Sequence, residues 1–162
     1  MDGGFRGPVD VEYYAIGTTG QQNVLRKGDV FGMFRREGTK EYRLQKAGTS
    51  ALTATNLAKI LTTDTTGETV VATAAATDIP VGVIPIAVTA SNYFFMQVGG
   101  IASVAVVNST SVGALLAASG TAGTAQAAPF TAATVQGTIG VLLAGNSSGG
   151  AAARDVQLQG LQ

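Results

Sequence analysis

Short apolar segments rich in β-branched residues recur through the second half of the chain, and Gly, Asn, Ser or Pro bounds each of them. The segments are PVGVIPIAV (80–88), YFFMQV (93–98), IASVAVV (101–107), VQGTIGVLL (135–143) and VQLQGL (156–161). In the last one, Val156 and Leu158 alternate with glutamines, which is the period of a strand that buries one face. Short strands separated by turns at this spacing are typical of an all-β sandwich or barrel. We therefore predict a compact, all-β, small-residue body.

Two other stretches carry a helical pattern instead. Residues 55–61 (TNLAKIL) would place Leu57, Ile60 and Leu61 on one side of a helix. Residues 111–118 (SVGALLAA) contain only small and aliphatic side chains. Each stretch is a candidate for one short helix, and longer helices have little room.

A charged β-hairpin is predicted for residues 30–46, in the first half of the chain. The turn falls at residues 37–39 (EGT), where glycine allows a tight reversal. Tyr42 and Leu44 return at alternating positions, so both point to the same face of the second strand. The apolar residues of the first strand are Phe31, Met33 and Phe34.

The start of the chain has a different character. Residues 1–8 (MDGGFRGP) are too rich in Gly and Pro to pack unaided, which predicts an extended arm or a disordered tail. Residues 11–16 (VEYYAI) follow with a strand pattern. We divide the chain into an N-terminal arm (1–14), a charged β-hairpin region (15–46) and a β-rich domain (47–162).

The largest apolar concentration of the second half consists of Tyr93, Phe94, Phe95 and Met96. On a strand, Tyr93 and Phe95 point one way and Phe94 and Met96 the other, so neither face is polar. Such a strand is buried on both sides, either in the monomer core or at an oligomer interface. An apolar strand is more often core than contact surface, and we favour the core.

The composition removes whole classes of chemistry. Among 162 residues there is no histidine, no cysteine and no tryptophan. Ser-His-Asp triads, Cys-His pairs, ordinary zinc sites and haem-binding histidines all need imidazole or thiolate, so none of them can form. Neither a G-x-G nor a Walker A motif is present, which excludes nucleotide binding through those loops. We expect no cofactor, no metal and no small-molecule substrate.

Charged residues are few and unevenly placed. Ten basic side chains balance ten acidic ones, and residues 79–162 contain only Arg154 and Asp155 of these twenty. A net charge of zero gives no electrostatic footprint for nucleic acid or an anionic membrane. No apolar run approaches the ~18 residues of a membrane span, and the first residues lack the pattern of a signal peptide. We expect a soluble protein that is not exported.

Seven basic residues nevertheless fall within twenty-one positions, interleaved with aromatic residues. They are Arg26, Lys27, Arg35, Arg36, Lys40, Arg43 and Lys46. Such a cluster suits nucleic acid, but Asp29, Glu37 and Glu41 lie among them and would repel phosphates. A mixed-charge solvated face or a polar contact with another protein is the favoured interpretation.

Two pairs of carboxylates are candidates for acid–base catalysis. Asp10 and Glu12 would share a strand face, and Asp64 and Glu68 lie four apart around a turn. Glycoside hydrolysis needs two acids in one cleft, one of them with a pKa raised by burial or by a neighbouring charge. We interpret both pairs as solvated turn and edge residues, and we expect that the protein is not an enzyme.

Four segments of the chain resemble the capsid decoration, or cement, proteins of tailed bacteriophages. They are PVGV (80–83), NYFFMQVGG with ASVAV (92–106), GTIGVLLA (137–144) and DVQL (155–158). The likeness covers about residues 47–162 and consists of a strand pattern: a GVI-type strand, a strand that ends in glycine, a G-x-x-G-V-L strand and a V-x-L terminus.

The resemblance implies a β-tulip-type domain that trimerises on the outer surface of the capsid, over three-fold and quasi-three-fold positions. It implies a structural virion protein that binds the major capsid protein and stabilises the mature shell. In this family the N-terminal segment commonly contacts the major capsid protein.

Candidate contacts with the capsid can be chosen within the arm, because aromatic and arginine side chains dominate the energetics of interfaces. They are Phe5, Arg6, Val9, Tyr13 and Tyr14. Tyr13 and Tyr14 could equally pack against the body of the domain. The alternative function is a surface-displayed adhesin or carbohydrate-binding β module, although four tyrosines and no tryptophan offer few platforms for stacking on sugars.

Overall fold

The structure is a computed structural model, and it describes residues 14–15, 24–25, 33–129, 137–147 and 149–159. Every helix or strand in these ranges is a β-strand, so the all-β prediction is confirmed. The strands are β1 (Tyr14–Ala15), β2 (Val24–Leu25), β3 (Phe34–Glu37), β4 (Lys40–Ala47), β5 (Leu57–Ile60), β6 (Thr69–Ala72), β7 (Gly82–Val83), β8 (Tyr93–Val106), β9 (Leu115–Ala118), β10 (Ala125–Ala127), β11 (Gly140–Leu142) and β12 (Ala152–Leu158). β1 and β2 pair with each other in a separate sheet, and β2 lies against β8.

The charged hairpin is confirmed over its described part and consists of β3 and β4. Its register runs from Phe34 opposite Arg43 to Glu37 opposite Lys40. Gly38 takes a φ of +59° at the first position of the two-residue turn, which glycine adopts without steric cost. β4 continues beyond residue 46 into the sheet, so the division between residues 46 and 47 falls inside one strand.

The ten strands from β3 to β12 form one sheet that closes on itself twice. In the first ring, β4, β6, β5 and β7 follow one another, and both ends pair with β8. In the second ring, β12, β11, β9 and β10 do the same. β8 is fourteen residues long and belongs to both rings, with its first half paired to β4 and its second half to β12. β3 lies outside the rings, at the edge of the sheet beside β4.

Gly100 marks the point where β8 passes from one ring to the other. Its φ of +78° lies in the left-handed region that favours glycine. A Cβ at this position would overlap the backbone of Thr39 and Lys40 in the hairpin turn. β8 can therefore pass directly beneath the hairpin because residue 100 has no side chain.

Each ring has its own apolar cluster. The buried residues of the first-ring cluster are Ala47, Leu52, Ala58, Val70, Ile84, Val88, Phe94, Met96 and Val98. Those of the second-ring cluster are Leu57, Val83, Ala102, Val104, Val106, Leu116, Ala125, Ile139, Leu142, Val156 and Leu158. Leu57 and Val83 come from first-ring strands but pack in the second-ring cluster, so the two cores are connected.

Both short helices suggested by the sequence are wrong. Residues 57–60 form β5, which pairs with β6 and β7, and residues 115–118 form β9, which pairs with β10 and β11. Thr55 has a φ of +70° and Gly113 a φ of +81°, so neither stretch can begin as a right-handed helix. Pairing with neighbouring strands overrides a weak local preference for helix.

Candidate functional site

The hairpin is anchored on a third apolar cluster, on the face of β4 and β8 that points away from the first-ring cluster. Tyr42, Leu44 and Phe95 are buried in it, and Tyr93 packs against them. The guanidinium carbon of Arg35 lies 3.9 Å from the centre of the Phe95 ring, within the range of a cation–π contact. This contact fixes β3 against β8 through a charged side chain and an aromatic ring.

The four aromatic and apolar positions at the start of β8 divide between the two faces as their alternation predicts. Phe94 and Met96 belong to the first-ring cluster, and Phe95 belongs to the third cluster with Tyr93 beside it. Phe94, Phe95 and Met96 are each no more than 1% exposed within the single chain. Tyr93 is half-buried.

Three other cations of the hairpin also contact neighbouring side chains. Arg43 lies with its guanidinium carbon 5.9 Å from the Phe34 ring centre, and the Lys46 ammonium is 5.7 Å from the Tyr93 ring centre. Arg36 Nη2 is 3.1 Å from Glu41 Oε1 in an ion pair on the surface. Exposed pairs of this kind contribute about 0–1 kcal/mol, so the Arg36 side chain can exchange its partner at low cost.

A buried amide positions Arg43. Gln45 is fully buried, and in the orientation that satisfies its amide the nitrogen donates to the Glu68 carbonyl at 2.8 Å. The amide oxygen then accepts from Arg43 Nε at 3.0 Å. The buried Gln45 amide therefore orients the guanidinium of Arg43. No pattern in the neighbouring sequence predicts this hydrogen bond.

The outer edge of β3 has no partner among the described strands. The Leu44 N–H donates to the Met33 carbonyl at 3.0 Å, which makes Met33 and Leu44 a hydrogen-bonded pair. Hydrogen-bonded and non-hydrogen-bonded pairs alternate in an antiparallel ladder. The main-chain N–H and C=O groups of Arg35 and Glu37 therefore also point towards β4. The N–H and C=O groups of Phe34 and Arg36 therefore point away from the sheet.

An open groove lies on the hairpin. It has a volume of about 370 Å³ and is lined by Phe34, Arg35, Arg36 and Glu41. Phe34, the first residue of β3, is 60% exposed. The hairpin thus presents an exposed aromatic ring, arginines and, at the outer edge of β3, main-chain groups that have no partner among the described strands.

The hairpin is also the basic part of the described chain. Residues 33–46 contain five basic and two acidic side chains, whereas residues 47–159 contain two basic and four acidic ones. A net positive charge concentrated on one element favours contact with an acidic surface.

Of the two carboxylate pairs, the structure describes only Asp64 and Glu68, and Asp64 is bound within its own turn. Asp64 accepts hydrogen bonds from Thr66 Oγ1 at 2.6 Å, from Thr66 N–H at 2.9 Å and from Thr69 N–H at 2.5 Å. These hydrogen bonds hold the pKa of Asp64 well below its usual range, which is the opposite of what a general acid needs. Asp64 thus organises a turn. Asp10 and Glu12 lie outside the described residues.

An ion pair that the sequence did not indicate lies on the first ring. Lys59 Nζ is 2.7 Å from Asp78 Oδ1, and both side chains are largely buried. Asp78 Oδ2 also accepts from the N–H groups of Ala74 and Ala75 at 2.6 and 2.9 Å. Burial raises the pKa of Asp78, but the hydrogen bonds from Lys59, Ala74 and Ala75 outweigh it, so the pKa is lowered. The pair fastens the loop after β6 to β5, and a separation of nineteen residues leaves no local motif to reveal it.

Most of the arm lies outside the described residues. This applies to Phe5, Arg6, Val9 and Tyr13. Tyr14 begins β1, where its backbone pairs with Leu25.

The described residues contain no group of three or more acidic, His or Cys side chains that could hold a metal ion. Within the same ranges, no helix has the length and apolar character needed to cross a membrane. No protein-family model matches the chain, and no curated protein matches it significantly.

Proposed function

We propose that the protein is a structural virion protein, not an enzyme. It binds the major capsid protein on the outer surface of a phage capsid, as a homotrimer, and stabilises the mature shell. The observation that carries the proposal is the charged hairpin, which presents arginines, an exposed aromatic ring and a strand edge without a partner among the described strands, on a frame of two closed rings. These are features of a surface that binds another protein.

The segments that resemble capsid decoration proteins support the proposal by their position. They contain β7 and β11, nearly all of β8 and the second half of β12, and these four strands are consecutive neighbours in the sheet. The resemblance thus concerns one continuous part of the fold. It is not a set of scattered matches.

Stabilisation of the shell follows from mass action. A protein that binds only the mature lattice lowers the free energy of that lattice. At a free protein concentration about 100 times the dissociation constant, the stabilisation is ~2.7 kcal/mol per site. Large numbers of such sites on one shell make the total effect substantial without any covalent step.

The direct test is co-sedimentation with empty mature capsids assembled from the major capsid protein encoded nearest to this chain. We expect saturable binding, a higher melting temperature of the shell, and weak binding to unexpanded shells. Light scattering on the free and bound protein should give the mass of a trimer. A protein that stays monomeric in both states would refute the trimer, and a complete lack of sedimentation would refute the capsid role.

The arm has its own test. Deletion of residues 1–14 should reduce co-sedimentation with capsids. The melting temperature of the free deletion variant reports whether the rings remain folded, because the deletion also removes Tyr14 from its pairing with Leu25. Undiminished binding would remove Phe5, Arg6, Val9, Tyr13 and Tyr14 from the contact.

A carbohydrate-binding role is the second candidate, and one groove favours it. This groove has a volume of about 530 Å³ and polar walls, lined by Asn108, Ser109, Thr110, Ser111, Val112, Gly145, Asn146 and Ser147. Its lining contains no aromatic ring on which a sugar could stack, and the Asn146 amide nitrogen already donates to the carbonyls of Val106 and Gly150. Reproducible binding on a glycan array, lost in a Ser111→Trp variant that fills the groove, would favour this role over the capsid role.

A further inference from the structure

We propose that the outer edge of β3 receives an extended, acidic segment of the major capsid protein as an added strand. The proposal rests on the capsid-binding function above and assigns the partner chemistry to one site. It places the charged hairpin, and not only the arm, against the capsid.

The main chain provides the first argument. Phe34 and Arg36 each present an N–H donor and a C=O acceptor away from β4, as the register of the hairpin requires. An exposed row of such groups is a template for pairing with another extended segment. Every strand of the two rings has a described strand on each side. β3 pairs only with β4 among the described strands, so its other edge is open.

Side chains provide the second argument. The groove on the hairpin is lined by the exposed Phe34 and by Arg36, whose partner Glu41 lies on the surface. An incoming carboxylate can replace Glu41 at Arg36 and gain a charge-assisted hydrogen bond, while an apolar residue next to it covers Phe34. The excess of basic residues over residues 33–46 selects an acidic partner.

Pairing of β3 with a second copy of itself is disfavoured by the same residues. An antiparallel pairing that uses all four outward groups places Phe34 of each copy opposite Arg36 of the other. In that register Arg35 lies directly opposite Arg35, and like charges in that position are destabilising. The edge therefore suits a partner of opposite charge better than a second copy.

Nucleic acid fits the site less well than a peptide strand. The guanidinium of Arg35 lies on the Phe95 ring and that of Arg43 lies near the Phe34 ring, so two of the arginines are directed at protein side chains. Glu37 and Glu41 add negative charge to the same hairpin. Unpaired backbone amides and carbonyls are the groups that a peptide strand satisfies.

The first experiment separates the main-chain contact from the side-chain contact by two substitutions at one position. R36A removes the guanidinium but retains the outward N–H, whereas R36P removes both. Proline is tolerated at a strand edge whose N–H faces solvent, so the β3–β4 ladder is retained in R36P. We expect R36A to weaken capsid binding several-fold, and R36P to weaken it by about a further tenfold, the effect of one lost buried hydrogen bond and a blocked edge.

Two further measurements keep the result independent of any local disturbance by proline. R36E leaves the backbone unchanged and should weaken binding more than R36A, with a smaller dependence on salt concentration. Hydrogen exchange of the unmodified protein should show the amides of Phe34 and Arg36 becoming protected on mature capsids. Thermal melting of each free variant reports whether the fold is intact.

The outcomes distinguish this proposal from the function on which it rests. Capsid binding by the unmodified protein, with equal affinity for R36A, R36P and R36E and no new protection in β3, would overturn the edge site and leave the capsid role standing. No capsid binding by the unmodified protein would overturn both. Protection of β3 by a single-stranded oligonucleotide at equal concentration, without protection by capsids, would replace the peptide partner with nucleic acid.

Discussion

Two left-handed glycines with nearly the same backbone conformation differ in their surroundings. Gly100 has a φ of +78° and Gly113 a φ of +81°. Nothing lies within 4 Å of a Cβ added at Gly113, whereas a Cβ at Gly100 would overlap the hairpin turn. Substitution of the two glycines by alanine therefore separates two costs in the free energy of unfolding. One is the left-handed backbone conformation, and the other is the overlap of the new Cβ with the hairpin turn.

We expect Gly113→Ala to destabilise the protein by about 1 kcal/mol, the cost of a left-handed alanine. Gly100→Ala should cost about 3 kcal/mol, because overlap with the turn adds to the same conformational term. Chemical denaturation of both variants measures the difference. Equal losses would mean that the hairpin turn yields freely and does not pack on β8.

Loss of the Asp78 carboxylate should destabilise the folded protein. Asp78→Ala leaves the Lys59 ammonium and two backbone N–H groups without their acceptor, and we expect a loss of about 3 kcal/mol in the free energy of unfolding. Asp155→Ala is the matched control, because Asp155 is exposed on β12 and its loss should change the stability by less than about 0.5 kcal/mol.

The effect of Asp78 should depend on pH with a defined sign. Its pKa in the folded protein is lowered from the ordinary value of 3.8, so the folded state binds the proton less readily than the unfolded state. The stabilisation is fully present above the unfolded pKa and is lost as the pH falls through the lowered folded pKa. The difference in stability between the unmodified protein and Asp78→Ala should therefore shrink below about pH 4 in denaturation curves measured at several pH values. A constant difference would assign the effect to packing.

Residue-scale prediction from the sequence succeeded where the interaction is local. The turn role of Asp64 follows from Thr66 and Thr69, which are two and five positions away. The Lys59–Asp78 pair and the contact between Gln45 and Arg43 were not found. The first depends on the pairing of separate strands. The second depends on the complete burial of Gln45, which no pattern in the sequence indicates.

At the scale of elements, β8 organises the molecule. It pairs with β4, β7, β12 and β10, and both of its halves are closed into rings. β3, in contrast, pairs only with β4 among the described strands. A strand enclosed on both sides opens only when the rings open.

Amide hydrogen exchange of the free protein should follow this difference. We expect the amides of β8 to be the slowest in the chain and to exchange only through global unfolding. Phe34 and Arg36 should exchange fast, with Arg35 between them slower because its N–H faces β4. NMR measures the exchange rates of the β8 amides, of Phe34 and Arg36, and of Arg35. Fast exchange throughout β8 would contradict the ring closure.

The sequence was a good guide to elements with strong alternation and clear turns. The hairpin around Gly38 and the two-faced apolar strand at 93–96 were both predicted from their period. The candidate helices failed because four-residue segments such as β5 and β9 have too little local preference to decide their own state. Closure into two rings through one shared strand depends on long-range pairing, which no local pattern contains.

At the scale of the whole molecule, the two rings should unfold as one unit. They share β8, and Leu57 and Val83 of the first ring pack in the core of the second. Loss of one ring would expose the apolar face of the strand on which the other depends.

Leu142→Ala tests this coupling. Leu142 is fully buried in the second-ring cluster, and its truncation should cost about 2–5 kcal/mol. All four tyrosines (Tyr13, Tyr14, Tyr42 and Tyr93) precede the strands that only the second ring contains, so near-ultraviolet circular dichroism reports on the other part of the chain. We expect one cooperative transition with a lowered midpoint in both tyrosine and far-ultraviolet signals. Two separate transitions would show that the rings are independent.

The shared strand also determines how the chain folds while it is being synthesised. β4 to β7 precede β8, so the first ring can close as soon as β8 has left the ribosome. The second half of β8 must then wait for β12, whose last residue, Leu158, is more than fifty positions downstream of Val106. During that interval Val104 and Val106 have an unpaired neighbouring edge, and nascent chains in this state are prone to aggregate. The pairing of the seven residues of β12 with β8 therefore ends the period in which a newly made chain is prone to aggregate.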